Sequence, residues 1–315
     1  MFLTKQTTGI RWLVLKNRIQ HIGWKCLRFV ILLGLGFLIV YPVCYKLMAS
    51  FKSYADFSDP TVIFIPKELS LVAYKTVWQT VNYPYALLLS ILLCGGVALL
   101  QMASCSLVGY GLARYPFKGR GVVFALVLLT LVIPPQAILF PLYLKFKYFN
   151  VLQIFTFSGV LSGISLINTP WPFLLLASTA LGFKNGLYIY IMRQYFYNVP
   201  SSIEEAANID GCGHFKIFYK IMLPGAMPML LTVFLFSFVW QWTDSYYSSM
   251  LAPNMQTLNM QLFGMTEQLI QNHGNIAANL LESPQFILLI APLIILYLFT
   301  QRFFVEGIER SGIVG

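Results

Sequence analysis

The sequence predicts an all-α polytopic membrane protein with six transmembrane helices, both termini in the cytoplasm, and two short polar helices between spans four and five. Three observations predict it. Of the 315 residues, 58% are hydrophobic and only 10% charged, whereas a soluble domain carries about 25% charged residues to cover its surface. Apolar runs long enough to cross a bilayer recur along the chain. The charges that remain are sorted by sign between alternate loops, as membrane topology demands.

Before the first span stand Lys5, Arg11, Lys16, Arg18, Lys25 and Arg28 with no acid among them, the mark of a cytoplasmic flank. This sorting explains the net charge of +10 without nucleic acid as a partner. The first 28 residues are too long and polar for the n-region of a cleaved signal, and the span after them lacks a clear small-x-small cleavage site, so the first span is expected to be retained.

The spans fall at about 27–49, 85–113, 121–144, 170–192, 225–250 and 285–304. Residues 1–26 form a basic cytoplasmic segment, 27–304 the six-span domain, and 305–315 a cytoplasmic tail. Arg114, Lys118 and Arg120 place the loop between spans two and three inside, and Arg302 and Arg310 do the same for the C-terminus. The loop at 50–84 balances Lys52, Lys67 and Lys75 against Asp56, Asp59 and Glu68, and that at 251–284 has Glu267 and Glu282 without Lys or Arg. Both fit the outside; Lys145 and Lys147 are the exceptions to the rule. Segment 153–168 is only about 16 residues and is cut from the next span by Pro170 and Pro172. It is expected to be an outer interfacial or re-entrant helix. Tyr41, Tyr45, Tyr143 and Trp171 suit an interfacial belt.

The five cysteines, Cys26, Cys44, Cys94, Cys105 and Cys212, avoid both outer loops and read as free thiols. The spacings Gly159 to Gly163 and Gly182 to Gly186 permit close helix approach. The chain has no G-x-x-x-x-G-K-[ST] loop to cradle phosphate, no metal spacing around His21, His214 or His273, and no G-x-S-x-G. An enzyme is therefore not expected, nor a resident cofactor or metal.

One segment departs from the apolar background: "SSIEEAANIDGCGHFKIFYKIMLP", Ser201 to Pro224. Ser201 with Glu204 and Ser202 with Glu205 predict overlapping capping boxes after Pro200. Gly211 predicts the stop of that helix, and "HFKIFYKIM" a second helix leading to Pro224. Ile203, Ala206, Ala207 and Asp210 share one face, where small side chains let another protein approach.

The spacing Glu205-Ala206-Ala207, three residues, Gly211, nine residues, Ile221, one residue, Leu223-Pro224 resembles the EAA–G–I-LP loop of ABC importer membrane subunits. "ASFKS", "GYGLARYPFKGRG", "LVIPPQAILFPLY", "FSFVWQWTDSYY" and "QRFFVEGIERSG" extend the resemblance over nearly the whole chain, toward the smaller permease of the maltose-type carbohydrate importers. The chain departs from these in ending "SGIVG" and in the insertion-like 153–168 segment.

The resemblance implies that the two helices of the loop, about 200–224, dock on a separate ATPase. Glu204, Glu205, Ala206, Ala207, Asp210, Gly211, Ile221, Leu223 and Pro224 would form this coupling element. It implies a second homologous permease, two ATPase subunits holding ATP and Mg, an extracellular or periplasmic solute-binding protein, and a sugar substrate, in the cytoplasmic membrane of a bacterium. Path candidates are polar residues within spans: Lys184, Asn185, Gln241, Trp242 and Asp244. The plain alternatives are a structural bond or binding-protein contact for Asp244, and snorkelling or pairing with a partner's acid for Lys184. A polyamine or glycerol phosphate importer shares the loop, and an ion-coupled carrier is the rival from another class.

Overall fold

Prolines and left-handed residues, more than hydropathy, decide how the apolar stretches are cut. The computed structural model describes the backbone of residues 3–150 and 163–312, and the side chains of all of these except 3–19, 269–278 and 302–312. Among the described residues there are helices and no strands, only an isolated antiparallel bridge between Phe149 and Ile164.

The chain begins with α1 (Leu3–Ala49), so the basic segment is helical and continuous with the first span. Two short helices follow, α2 (Tyr54–Ser58) and α3 (Val72–Thr80). Next is α4 (Tyr83–Arg114), whose 32 residues amount to ~48 Å at ~1.5 Å per residue, more than the ~30 Å apolar slab. The third apolar stretch is broken into α5 (Arg120–Val132) and α6 (Pro135–Lys147), bent by 101°. Ile133 is extended (ψ 123) because the ring of Pro134 excludes helical geometry from the residue before it.

The fourth stretch, expected as one helix, is two: α7 (Trp171–Ser178) and α8 (Asn185–Asn198). Ala180 and Lys184 have φ of 56° and 64°, a left-handed backbone no α-helix can continue through. The fifth is reached through α9 (Ser201–Ile209), α10 (His214–Ile217), a π-turn over Phe218–Met222 and α11 (Leu223–Gly225). Pro224 has no N–H for the carbonyl of Lys220, and the turn before it widens, the N–H of Leu223 donating to Phe218 O. A 79° bend leads into α12 (Met227–Thr243), which stops at Asp244, short of the expected residue 250. Then come α13 (Tyr246–Leu251) and α14 (Leu258–Gly312), which contains the sixth stretch and most of the tail.

Among the described residues, three helical stretches are long and apolar enough to cross a membrane, Gln20–Ala49, Tyr83–Arg114 and Asn279–Gln301, or up to five if each bent pair is one span. Most of segment 153–168 lies outside the described residues. Its described end is not helical: Phe149 and Ile164 exchange backbone hydrogen bonds of 3.1 and 2.9 Å, so the chain resumes beside the point it left.

The contacts divide the chain into two units. In the first, residues 1–75 with 275–287, Lys52 is buried and donates to the carbonyls of Val62 and Ile63 at 2.8 and 3.1 Å. Ser50 meets the hydroxyl of Tyr74 at 2.7 Å, and Lys46 pairs with Glu282 at 2.8 Å.

In the second unit, residues 76–274 with 288–315, α4 is the central post, packed against α7, α8 and α12. Tyr110, Tyr188, Met192, Phe196, Ile217 and Phe218 form its core near the C-terminal end of α4. Leu93, Val97, Phe173, Ala177 and Leu251 form another core toward the N-terminal end. At Gly186 an added Cβ would lie 2.8 Å from the carbonyl of Val127, so the absence of a side chain lets α5 and α8 touch. The two ends of α4 gather different loops. Arg114 donates to Val199 O, while Ser90 accepts from the N–H of Leu258 at 2.7 Å.

Candidate functional site

At the Arg114 end, the polar segment forms a hook. The expected capping boxes do not form: α9 starts with Pro200 as its N-cap, Ser201 and Ser202 lie inside the first turn, and no side chain caps the end. Glu204 is engaged elsewhere. Its Oε1 accepts from the Tyr110 hydroxyl at 2.8 Å and lies 3.5 Å from Arg114 Nε. That second contact is an ion pair by distance without a directed hydrogen bond. Arg114 also donates through Nη2 to Val199 O, so one guanidinium joins the end of α4 to both the chain entering α9 and its first turn.

The stop of α9 is as expected. Gly211 is left-handed (φ 77), its N–H donates to Asn208 O at 3.0 Å, and that of Cys212 to Ala207 O at 3.0 Å. This pair of bonds is a Schellman motif, whose left-handed turning point is least strained in a residue without a Cβ.

The expected common face of Ile203, Ala206, Ala207 and Asp210 is split. Ala207 is buried beneath the hook in the core with Tyr110 and Phe218, and Glu204 is partly buried. Glu205, Ala206 and Asp210 are exposed, as are Ile203, Ile209 (86%) and Phe215 (76%). Ile221 and Leu223 pack partly buried against the same core, and Pro224 is exposed. The exposed apolar side chains Ile209 and Phe215 flank the Gly211 turn.

Toward the other end of α12 lies a cleft of about 310 Å³. Three path candidates line it: Lys184, Gln241 and Asp244. Lys184 precedes α8, its Nζ 4.6 Å from the centroid of the Trp240 ring. Asp244 directs both carboxylate oxygens at the start of α13, accepting from the N–H groups of Tyr247 (3.2 Å) and Ser248 (2.9 Å) and from the Ser248 hydroxyl (2.9 Å). Asn185 lines an adjoining cavity of about 420 Å³ against α5, where its buried amide atoms have no hydrogen-bond partner among the described residues.

Trp242 is not in the cleft. It is buried, stacked on Phe238 at 5.6 Å, and its Nε1 donates to Leu289 O at 3.1 Å. Trp240, two positions earlier, takes that place because two residues on a helix point about 200° apart.

Sequence reasoning missed Gln101, Ser237 and Tyr188, which also line the cleft. Buried Gln101 donates to Phe183 O at 3.1 Å and accepts from Ser237, tying α4 to the 179–184 turn and to α12. A glutamine in the middle of an apolar span was the available signal. Tyr110 and Arg114, at the span's end, gave none.

Residues 106–310 match the family of binding-protein-dependent transport system inner membrane components. The chain belongs to that family. It is 27% identical to the arabinooligosaccharides transport system permease protein AraQ of Halalkalibacterium halodurans, over 89% of this chain and 93% of that protein. It is 26% identical to the polygalacturonan/rhamnogalacturonan transport system permease protein YtcP of Bacillus subtilis, over 96% of this chain and all of the relative (100%). Its fold is similar to a chain of a bacterial ABC transporter involved in the import of the acidic polysaccharide alginate, with a TM-score of 0.69, 20% identity, and coverage of 89% and 96%.

Within this inner membrane component, the family match runs from the second half of α4 through α14. It therefore includes the hook and most of the cleft lining, but not Gln101 or the first part of α4. All of α1, with large apolar side chains such as Leu38 (68%) and Ile39 (72%) exposed, precedes it.

Proposed function

We infer that this chain is the permease subunit of a binding-protein-dependent ABC importer for a sugar or oligosaccharide, forming half of the path and itself non-catalytic. Six spans are assigned to α1, α4, α5 with α6, α7 with α8, α12 and α14, with both termini in the cytoplasm. The pairing of Phe149 with Ile164 supports that count, because it sets the residues on either side of 151–162 next to each other. The relatives' named substrates, arabinooligosaccharides and polygalacturonan or rhamnogalacturonan, support a saccharide. Partners are a second permease, two ATPase subunits that hold ATP and Mg, and a solute-binding protein.

The observation that carries this reading is the hook: a short helix stopped at Gly211, fastened to α4 through Glu204, with Glu205, Ile209 and Phe215 facing outward. Such a handle transmits a push. Movement of an ATPase groove against α9 passes through Tyr110 and Arg114 into a span made stiff by its own backbone hydrogen bonds, and opens the cleft side of the bundle.

The test is co-purification with the ATPase followed by uptake, using Glu205→Ala and Gly211→Pro. Glu205→Ala is expected to weaken ATPase association, and Gly211→Pro to abolish it. Normal assembly and uptake in both variants would defeat the coupling role.

A further inference from the structure

The charges that line the cleft are unequally satisfied. Asp244 has three donors on α13. Lys184 has no carboxylate within ion-pair distance among the described residues and rests against the face of Trp240. Its backbone is left-handed at φ 64, a conformation costing a non-glycine residue about 1–2 kcal/mol, and this holds the side chain at the end of the 179–184 turn. In the same cleft, fully buried Tyr188 presents a hydroxyl with no hydrogen-bond partner among the described residues. A buried hydroxyl without a partner is costly unless something supplies one.

We propose that this cleft binds an anionic saccharide, a uronate unit whose carboxylate pairs with Lys184 while its ring lies on Trp240 and a hydroxyl satisfies Tyr188. The proposal rests on the importer reading and adds the charge class of the cargo. One ammonium matches the single charge of a carboxylate. A phosphate ester carries about −1.5 to −2, and among the described residues no second cation lines the cleft. Gln136 and Gln241 supply donors and acceptors for the remaining ring hydroxyls, in the mixture of aromatic faces and a few polar groups that sugar-sized pockets need. A neutral sugar would leave the ammonium with only the Trp240 ring.

The experiment uses the importer purified with its partner subunits and titrated calorimetrically. Its probes are trigalacturonate and the fully methyl-esterified trisaccharide, which share a sugar skeleton and differ in the charge and methylation of their carboxyl groups. The wild type is expected to bind the free acid about tenfold more tightly than the ester, the size of one charge-assisted contact. Lys184→Gln is expected to equalise the two and Lys184→Arg to preserve the preference. Equal binding of both probes by the wild type, binding of neither, or a preference that survives Lys184→Gln would overturn the proposal. So would a Lys184→Gln complex that loses its second permease, which would assign the ammonium to an acid across that interface. An intact complex with no charge preference sinks only the uronate assignment, whereas failure of the ATPase to co-purify sinks the importer reading.

Discussion

Replacing Glu204 with alanine is predicted to loosen the hook without touching its outward face. Glu204 is 18% and Arg114 12% exposed, with contacts of 2.8 Å to Tyr110 and 3.5 Å to Arg114. A hydrogen bond to a charged group contributes about 1.5–3 kcal/mol. The Arg114 contact, longer and undirected, adds a fraction of that, giving about 2–3 kcal/mol in total. Local opening of α9 should therefore rise roughly 30- to 150-fold, read as hydrogen exchange over residues 201–212 in the solubilised protein. Glu205→Ala removes an exposed carboxylate one position away and should leave exchange unchanged while lowering ATPase association. A double-mutant cycle with Tyr110→Phe should show a coupling of at least ~0.5 kcal/mol. If Glu204→Ala exchanges like the wild type, the latch has no energetic role and α9 is held by its other contacts, the burial of Ala207 and the Arg114 bond to Val199 O among them; an additive cycle would show that the Tyr110 bond contributes nothing to Glu204's hold.

Two further outcomes follow from particular contacts. Trp242→Phe keeps the stack on Phe238 but loses the bond to Leu289 O, and should cost about 1 kcal/mol in thermal stability. Trp240→Phe should leave stability unchanged and weaken only saccharide binding; equal destabilisation by both would contradict the two placements. In the 50–72 loop, hydrogen bonds from Lys67, then from Thr61, hold the carboxyl of Asp59 below the usual carboxylate range. A depressed folded-state pKa contributes support that is present above the unfolded value of about 4 and lost as pH falls through the folded one. The Lys67 ammonium is raised by the same bond, so its support persists to about pH 10 and is lost above. Limited proteolysis of the loop should be flat from about pH 5 to 9 and increase below about 4, and Asp59→Asn should remove the acid-side change.

The local chemistry of this protein was legible in its sequence. Hydropathy marked the apolar stretches, the Gly211 stop followed from one residue type at the end of a short helix, and the spacing around Glu205 pointed to the family. These are short-range properties, set by backbone sterics and solvent preference, and neighbours in sequence suffice to determine them. Direction was not legible. Which face of α9 turns inward decided that Ala207 is core and Ala206 is free, and the partner that decides it, Tyr110, lies 94 residues away. Serines that satisfy the capping-box pattern went unused as caps because Pro200 took the N-cap position and the Tyr110–Arg114 pair claimed Glu204. The exchange of Trp242 for Trp240 has the same cause: both are tryptophans late in one apolar helix, and only the position of Leu289 made one structural and left the other to face the cleft. Sequence by itself determined a helical membrane subunit with a polar hook. Only the tertiary structure decided what the hook holds, where the spans break and which polar side chains share a cleft, because those depend on contacts between segments distant in the chain.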